Sequence, residues 1–394
     1  MRNYALKSLG FTTLFVPTSL YLCSVQAEPV QLRPATNLIA GAAVLNPGTY
    51  AIPCVADWNG DGRKDLLVGY RVADKIAVFL NVGTETQPVL TNSFNLQAGG
   101  ADLVVVGQSC GAPAPWVCDY DRDGRRDLLV GEGASPGRVY FFANTNTDAQ
   151  PKLAPGVLLT VGANPLSVSY RATPYVHDWD EDGRPDLLCG NGDGNAFFFR
   201  NTNANATGLP AYSAPVPIQA AGQPLSLDAR AVMRVFDWNG DGLKDLVGSS
   251  STGVYWYRNT GANSAPVLAA RAALSAPVSG SGLVPIYTSS RMRLDLADWN
   301  NDGVVDLLLG NADGTVTFFA SYQFRFTTIA PAPGGGLTLQ WQSASYLKYN
   351  ILAGNSPETI SNVVGASLPS GGNLTSWTNT TFSERKFYRS QIAP

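Results

Sequence analysis

The stretch Asp57–Asp65 reads DWNGDGRKD, and four copies follow it: DYDRDGRRD at Asp119–Asp127, DWDEDGRPD at Asp178–Asp186, DWNGDGLKD at Asp237–Asp245 and DWNNDGVVD at Asp298–Asp306. Successive copies start 62, 59, 59 and 61 residues apart. Oxygen side chains recur at loop positions 1, 3, 5 and 9. These are Asp57, Asn59, Asp61 and Asp65; Asp119, Asp121, Asp123 and Asp127; Asp178, Asp180, Asp182 and Asp186; Asp237, Asn239, Asp241 and Asp245; Asp298, Asn300, Asp302 and Asp306. Glycine holds position 6 of every copy, where the backbone must reverse in a conformation that glycine adopts cheaply. Position 7 (Arg63, Arg125, Arg184, Leu243, Val304) is left to offer its carbonyl.

Oxygen donors at this spacing suit a hard cation. Calcium takes six to eight oxygens and tolerates irregular geometry. The pattern holds neither cysteine nor histidine, which disfavours zinc and softer metals. The closing acid is Asp at position 9 and not Glu at 12, so this is not the helix-loop-helix calcium module. The loops concentrate 17 aspartates, out of 30 acidic residues in the chain, into 45 positions. Like charges packed so closely oppose folding unless a cation answers them. One structural Ca²⁺ per loop, five in all, is therefore expected.

The segments between loops share one plan. An apolar strand enters the loop, and LLVG, LLVG, LLCG, LVG or LLLG leaves it as a short buried strand. A turn such as Gly190–Asn195 or Gly310–Thr315 leads to an aromatic third strand: IAVFLN, VYFFAN, AFFFRN, VYWYRN or VTFFAS. Four of these end in Asn81, Asn144, Asn201 and Asn259, with Pro88, Pro151, Pro210 and Pro266 downstream and a fourth strand after the proline. Strand-rich repeats with Gly/Pro turns and no helical periodicity predict an all-β fold, and four strands per repeat make a propeller blade. The fifth repeat stops after its third strand, near Ser321. Glu28-Pro29-Val30 and its successor are similar to Ala265-Pro266-Val267 and its successor. The first strand is thus expected to complete the last blade of a five-bladed β-propeller over 28–322.

On these residues the chain resembles the FG-GAP/VCBS repeat family, the propeller repeats of integrin alpha type. The D-x-[DN]-x-D-G-x-x-D-L loops, the LLVG strands and segments such as Asn81–Leu90 carry the resemblance over most of the chain. It implies calcium bound at the blade periphery through positions 1, 3, 5 and 9 and the carbonyl at 7. The integrin propeller has seven blades and this chain shows five, so integrin-style partner recognition is not carried over.

The N-terminus reads as a signal peptide over 1–27: Arg2 and Lys7, an apolar run Leu9–Leu22, then Val25-Gln26-Ala27 before the cleavage point. Lipoprotein anchoring at Cys23 is the weaker reading, because Leu22 is not small. No other stretch is long and apolar enough to span a membrane. A secreted, periplasmic or cell-surface protein is expected. After cleavage four cysteines remain; Cys189 replaces the Val of LLVG and is expected in the core, while Cys54, Cys110 and Cys118 leave room for one disulfide whose pairing the sequence does not fix. Beyond Ala330–Gly336, a linker or turn, alternating segments such as LTLQWQS and LTSWTNTT predict a small second β-domain over 323–394. It resembles a fibronectin-III/Ig-like β-sandwich.

Three functions compete: a non-catalytic recognition or adhesion module, a lectin for anionic glycans, and a polysaccharide-degrading enzyme. Outside the loops the acids are sparse, and His177 is the one histidine. No nucleophile–base set can be assembled without it. Asp295 and Asp228 are the acids on or near inner strands, and nothing in their spacing asks for a catalytic pair. Seven residues before the loops, the third, fourth and fifth repeats carry Arg171, Arg230 and Arg291, where the first two carry Tyr50 and Ala112. Repeat symmetry puts these on a ring about the axis. They form either a cationic arc for carboxylate or sulfate groups or braces between blades. The aromatics at loop position 2 (Trp58, Tyr120, Trp179, Trp238, Trp299) read as packing between blades in preference to sugar platforms. The formal charge is −3; removal of Arg2 and Lys7 makes it −5, and five Ca²⁺ would make it +5. The expected partner is an extracellular protein or glycan, the expected state a monomer, and no nucleic-acid motif is present.

Overall fold

The computed structural model describes residues 11–14, 23–26, 30–72, 74–105, 111–205, 207–278 and 281–322, and the strand segments 326–332, 336–342, 348–354, 362–369, 374–379 and 387–392. All the regular elements among them are strands. The chain divides into two compact units. One comprises Leu32–Phe236 and Leu243–Ser321; the other comprises Met1–Gln31, Asp237–Gly242 and Tyr322–Pro394.

The first unit is a five-bladed propeller of four-stranded antiparallel sheets. From the inner strand outward, blade 1 runs Ile52–Ala56, Asp65–Tyr70, Lys75–Phe79 and Phe94–Asn95. Blade 2 begins with Ala114–Cys118, blade 3 with Thr173–His177, blade 4 with Val232–Phe236 and blade 5 with Arg293–Ala297. Each inner strand neighbours the next around a closed ring, and Arg293–Ala297 neighbours Ile52–Ala56. Blade 5 takes its outer strand from the beginning of the chain: Thr36 and Asn37 pair with Phe318 and Thr317 of Val316–Phe319. The expected closure by the first strand is therefore present.

The second strands explain the continuous apolar runs. All six residues of Asp65–Tyr70 are buried, because blades cover both faces. The glycine that ends LLVG has a steric reason. A Cβ on Gly69 would lie 1.8 Å from the Pro113 carbonyl of the next blade, and one on Gly131, Gly190 or Gly310 would lie 2.0, 2.3 or 2.2 Å from the carbonyl of Ala172, Ala231 or Ala51. Blade 4 carries Ser249 at this register; its hydroxyl accepts from Leu294 N (3.0 Å) and donates to Met292 O (3.3 Å) of the blade that follows. Trp58, Tyr120, Trp179, Trp238 and Trp299 are all buried. Trp58 packs in one core with Leu128 and Val130 of blade 2, and Trp179 in another with Met233 and Leu246 of blade 4, so these two aromatics fill the space between blades.

Five small hairpins follow the outer strands, for example Gln97–Ala98 with Ala101–Asp102 and Ser275–Val278 with Gly282–Pro285. The sequence did not announce them, since most of their strands are two residues long and carry no periodicity.

In the second unit Phe326–Ala332, Gly336–Gln342 and Leu374–Asn379 form one antiparallel sheet. Leu337, Leu339 and Trp341 are buried and the residues between them are not, as alternation requires. A second sheet is ordered Phe11–Leu14, Cys23–Gln26, Phe387–Ile392, Lys348–Gly354, Asn362–Pro369. Two strands from within the expected leader thus lie at its edge, Val25 paired with Tyr388.

Cys189 is a buried core residue, as expected. Cys54 and Cys118 are free thiols, so no bridge joins them; Cys110 lies outside the described residues. No helix is long and apolar enough to cross a membrane among the described residues.

Candidate functional site

Each loop is folded by its own carboxylates. In the first, Asp57 accepts from Asp61 N (3.0 Å) and Gly62 N (3.1 Å), and Asp61 accepts from Arg63 N (2.9 Å). The fifth repeats this: Asp298 accepts from Asp302 N (3.0 Å) and Gly303 N (2.9 Å), and Asp302 from Val304 N (3.0 Å). Asp119 and Asp178 likewise accept from Gly124 N and Gly183 N. The tip of the fourth loop, Asp237–Gly242, is wound in the same way, with Asp237 accepting from Asp241 N (3.0 Å) and Gly242 N (2.8 Å) and Asn239 Nδ2 donating to Asp241 (2.8 Å). Gly62, Gly124, Gly183, Gly242 and Gly303 all have φ between 82 and 87°, the left-handed turn the sequence implied.

The position-9 aspartates are wholly buried and serve as hubs. Asp65 accepts from Trp58 N (2.9 Å) at one oxygen and Asn81 N (2.7 Å) at the other. Asp186 does the same with Trp179 N and Asn201 N, and Asp306 with Trp299 N and Ser321 N. Asp127 links Tyr120 N and Asn144 N, while Asp245 takes Asn259 N and the Trp256 indole. The strand-end asparagines extend the link. Asn81 Oδ1 accepts from Gly83 N (3.0 Å) and Val89 N (2.9 Å), and Asn144, Asn201 and Asn259 do likewise, pinning the segment that runs to the proline. The recurrence of these asparagines was visible in the sequence; their bonding was not.

Carboxylate oxygens of Asp119, Asp121 and Asp127, and of Asp178, Asp180 and Asp186, lie within 4.8 Å of one another, so either group could hold a metal ion. The donor set is all oxygen, and it fits a hard cation. Burial, the largest cause, pushes the carboxyl of Asp127 up to about 6, that of Asp186 to about 6 and that of Asp306 to about 7. Neighbouring aspartates add to this. A cation placed among these groups would reverse that shift.

Position 7 differs from expectation in its side chain. Arg63, Arg125 and Arg184 each fold back on the position-5 aspartate of their own loop, Asp61, Asp123 and Asp182. Their Nε donates at 2.8 Å to the carbonyl of Asn81, Asn144 or Asn201. Leu243 and Val304 cannot do this, so three loops carry an internal cation that the other two lack.

The axis is lined by alternate residues of the inner strands. The third residues of the five inner strands are Cys54, Trp116, Tyr175, Arg234 and Asp295. Arg234 Nε meets Asp295 Oδ1 at 2.6 Å, and both side chains are buried. The guanidinium stands 4.6 Å from the Trp116 ring and 5.1 Å from that of Tyr175. The other Asp295 oxygen accepts from Val55 N (2.6 Å). Asp228 is engaged elsewhere, with Thr252 (2.6 Å) and Arg271 (3.0 Å). The two acids named for an enzymatic pair are therefore spent in separate polar contacts. His177 stacks on Tyr175, and burial, with Lys244 adding, depresses its pKa to about 4; it is a packed residue. Replacing Arg234 by methionine strands a buried carboxylate, and a loss of about 3–5 kcal/mol in denaturant-measured stability is expected; an unchanged midpoint would show that the pair contributes nothing.

Arg171, Arg230 and Arg291 come together at one mouth of this axis, as repeat symmetry implied, and Arg293 joins them. Among the described residues, no loop carboxylate stands within ion-pair distance of Arg230, Arg291 or Arg293. Arg293 Nη1 donates to Met292 O (2.9 Å) and Arg230 O (3.3 Å), Arg291 lies 4.0 Å from the Tyr50 ring and Arg171 4.5 Å from the Tyr170 ring.

A sequence model of the FG-GAP-like repeat matches residues 237–309. Integrin alpha-4 of Xenopus laevis is 27% identical over 160 residues, which are 38% of this chain and 15% of the integrin, so the chain spans a small part of that relative. Two solved structures are loosely similar. One is an Agrocybe aegerita lectin that recognises non-reducing terminal N-acetylglucosamine (15% identity, TM-score 0.37, covering 91% of this chain and 96% of the lectin). The other is a GH43_1 enzyme of Xanthomonas citri complexed with xylotriose (11% identity, TM-score 0.41, covering 77% and 92%). Residues 237–309, which hold the fourth and fifth aspartate loops of the five closed blades, thus match the FG-GAP-like repeat, and the loops of the other three blades carry the same pattern.

Proposed function

We propose that this chain is an exported, calcium-stabilised recognition or adhesion module, acting outside the cell or at its surface without catalysis. The observation that carries this reading is the fate of the inner-strand acids. Asp295 is held by Arg234 and Val55 N, and what faces the mouth is guanidinium and aromatic surface. Such groups bind and orient; they do not supply a general acid and base. Calcium would be held by positions 1, 3, 5 and 9 of each loop with the position-7 carbonyl, and would act as structural charge compensation. Arg2, Lys7 and the apolar run to Leu22 support export with cleavage near Ala27. Cleavage there would remove the strands 11–14 and 23–26 and leave Phe387–Ile392 as a sheet edge. The segment 323–394 is read as a fibronectin-III-like module, and the protein as a monomer.

The partner is an extracellular glycan or protein. A glycan array probed with the calcium-loaded chain separates the two: selective glycan capture without turnover is the expected result for a lectin, and protein capture from matrix components for an adhesion module. Release of shorter sugars from any polysaccharide would sink the non-catalytic reading.

A further inference from the structure

At the arginine mouth, two adjoining hollows of about 220 and about 260 Å³ share Arg171 and Arg293 in their walls, with Tyr50 and Arg291 completing one and Arg230 the other. Among the described residues, blade 2 contributes Gly111 and Ala112 here, both small. Several arginines elsewhere are answered by acids: Arg126 by Asp57 and Asp148, Arg138 by Glu132, Arg200 by Asp180 and Asp182, Arg271 by Asp228. Among the described residues, no carboxylate stands within ion-pair distance of Arg230, Arg291 or Arg293. The Nε of Arg230 is buried without a hydrogen-bond partner. Arg293 is 7% exposed, and burial together with the charges of Arg171, Arg230 and Arg291 lowers its pKa to about 9.

The backbone holds this arrangement at a cost. Tyr50, Arg171 and Arg230 have φ of 63, 50 and 60°, a left-handed conformation unfavourable for such side chains. Each is held there by its own N–H, donated to Ala312 O, Ala134 O or Gly192 O of the preceding blade. These amides and the Arg293 bond to Arg230 O brace the blades, and the guanidiniums of Arg230, Arg291 and Arg293 stand near one another in a small space. Converging cations with an unmet buried donor are arranged for an anion.

We propose that this recess is an oxyanion site, taking one carboxylate or sulfate group at the end of a ligand. The proposal rests on the recognition reading and names the chemistry that is recognised. The two hollows are shallow and closely walled by side chains, so the recess has room for one small group and leaves the rest of the ligand outside.

The test uses the calcium-loaded full chain at constant ionic strength. Sodium sulfate, sodium acetate and glucuronate are titrated against it, with sodium chloride and glucose as controls, and calorimetric affinity and melting temperature are read. Saturable binding and a raised melting temperature are expected with sulfate or with the carboxylates and not with the controls; which of them binds identifies the group. Arg230→Gln and Arg291→Gln should each weaken binding at least tenfold. Without added oxyanion, both variants should melt at or above the parent, because one of four repelling charges is gone; a bracing arginine would give the opposite sign. No saturable binding, binding unchanged in both variants, or lower melting of both in chloride would overturn the proposal. A glycan or protein ligand still captured by both variants would remove this site and leave the recognition reading in place.

Discussion

Removing divalent cations is expected to lower the melting temperature of the propeller by about 20 °C or more. A ligand present at a hundred times its dissociation constant stabilises a fold by about 2.7 kcal/mol per site. Five equivalent sites would sum to about 13 kcal/mol, and a domain of this size shifts by roughly 2 °C per kcal/mol. The pH dependence gives an independent reading. In the cation-free protein, burial holds Asp127 and Asp186 at about 6 and Asp306 at about 7, above their ordinary value. The folded state then keeps protons that the unfolded chain releases, so these groups favour folding as the pH falls from about 7 towards 4 and oppose it as the pH rises through 6 to 7. His177, depressed to about 4, works the other way below about 6.5, one group against three. Melting in EDTA should therefore occur at a higher temperature at pH 5 than at pH 8. With millimolar calcium the cation takes the place of the proton, and the difference should shrink or reverse. A melt at pH 8 that is indifferent to EDTA would remove structural calcium from the account.

Gly310→Val should be among the more damaging single changes away from the loops. The ring is closed without a covalent link, by Thr36–Asn37 on blade 5 and by the seating of blade 5 against the Ala51 carbonyl. A Cβ at residue 310 would sit 2.2 Å from that carbonyl and 2.8 Å from the Pro53 ring, with backbone on one side and no flexible side chain to give way. Overpacking in a tight core typically costs about 1–3 kcal/mol, and at a closure point the blades must separate to relieve it, so a loss of about 3 kcal/mol or more is expected in urea unfolding. Ser249→Gly, at the same register in blade 4, removes only the hydroxyl bonds to Met292 and Leu294 and should cost about 1 kcal/mol. Equal midpoints for the two variants would show that closure does not depend on this approach.

The loops were legible because everything that shapes them is local. Asp57, Asp61 and Gly62 sit within six residues, and their bonds to one another follow from the turn that glycine permits. The role of Asp65 was half legible: its place at position 9 was plain, but its second partner, Asn81 N, lies 16 residues on and across a sheet. The folding of Arg63, Arg125 and Arg184 onto their position-5 aspartates could have been suspected from their recurrence at position 7 in three loops. The hairpins after the outer strands carried no periodic signal.

The sequence by itself determined the strand pattern, the number of blades, the closure by the first strand and the positions of the aspartate cages, since each is written within one repeat or recovered by comparing repeats. The tertiary structure alone decided that Arg234 neutralises Asp295 and that Arg293 joins Arg171, Arg230 and Arg291 at the mouth. Arg234 and Asp295 stand 61 residues apart in neighbouring blades, and the arginines of the mouth come from three blades. Their meeting depends on how the ring closes, and no pattern within one repeat encodes that.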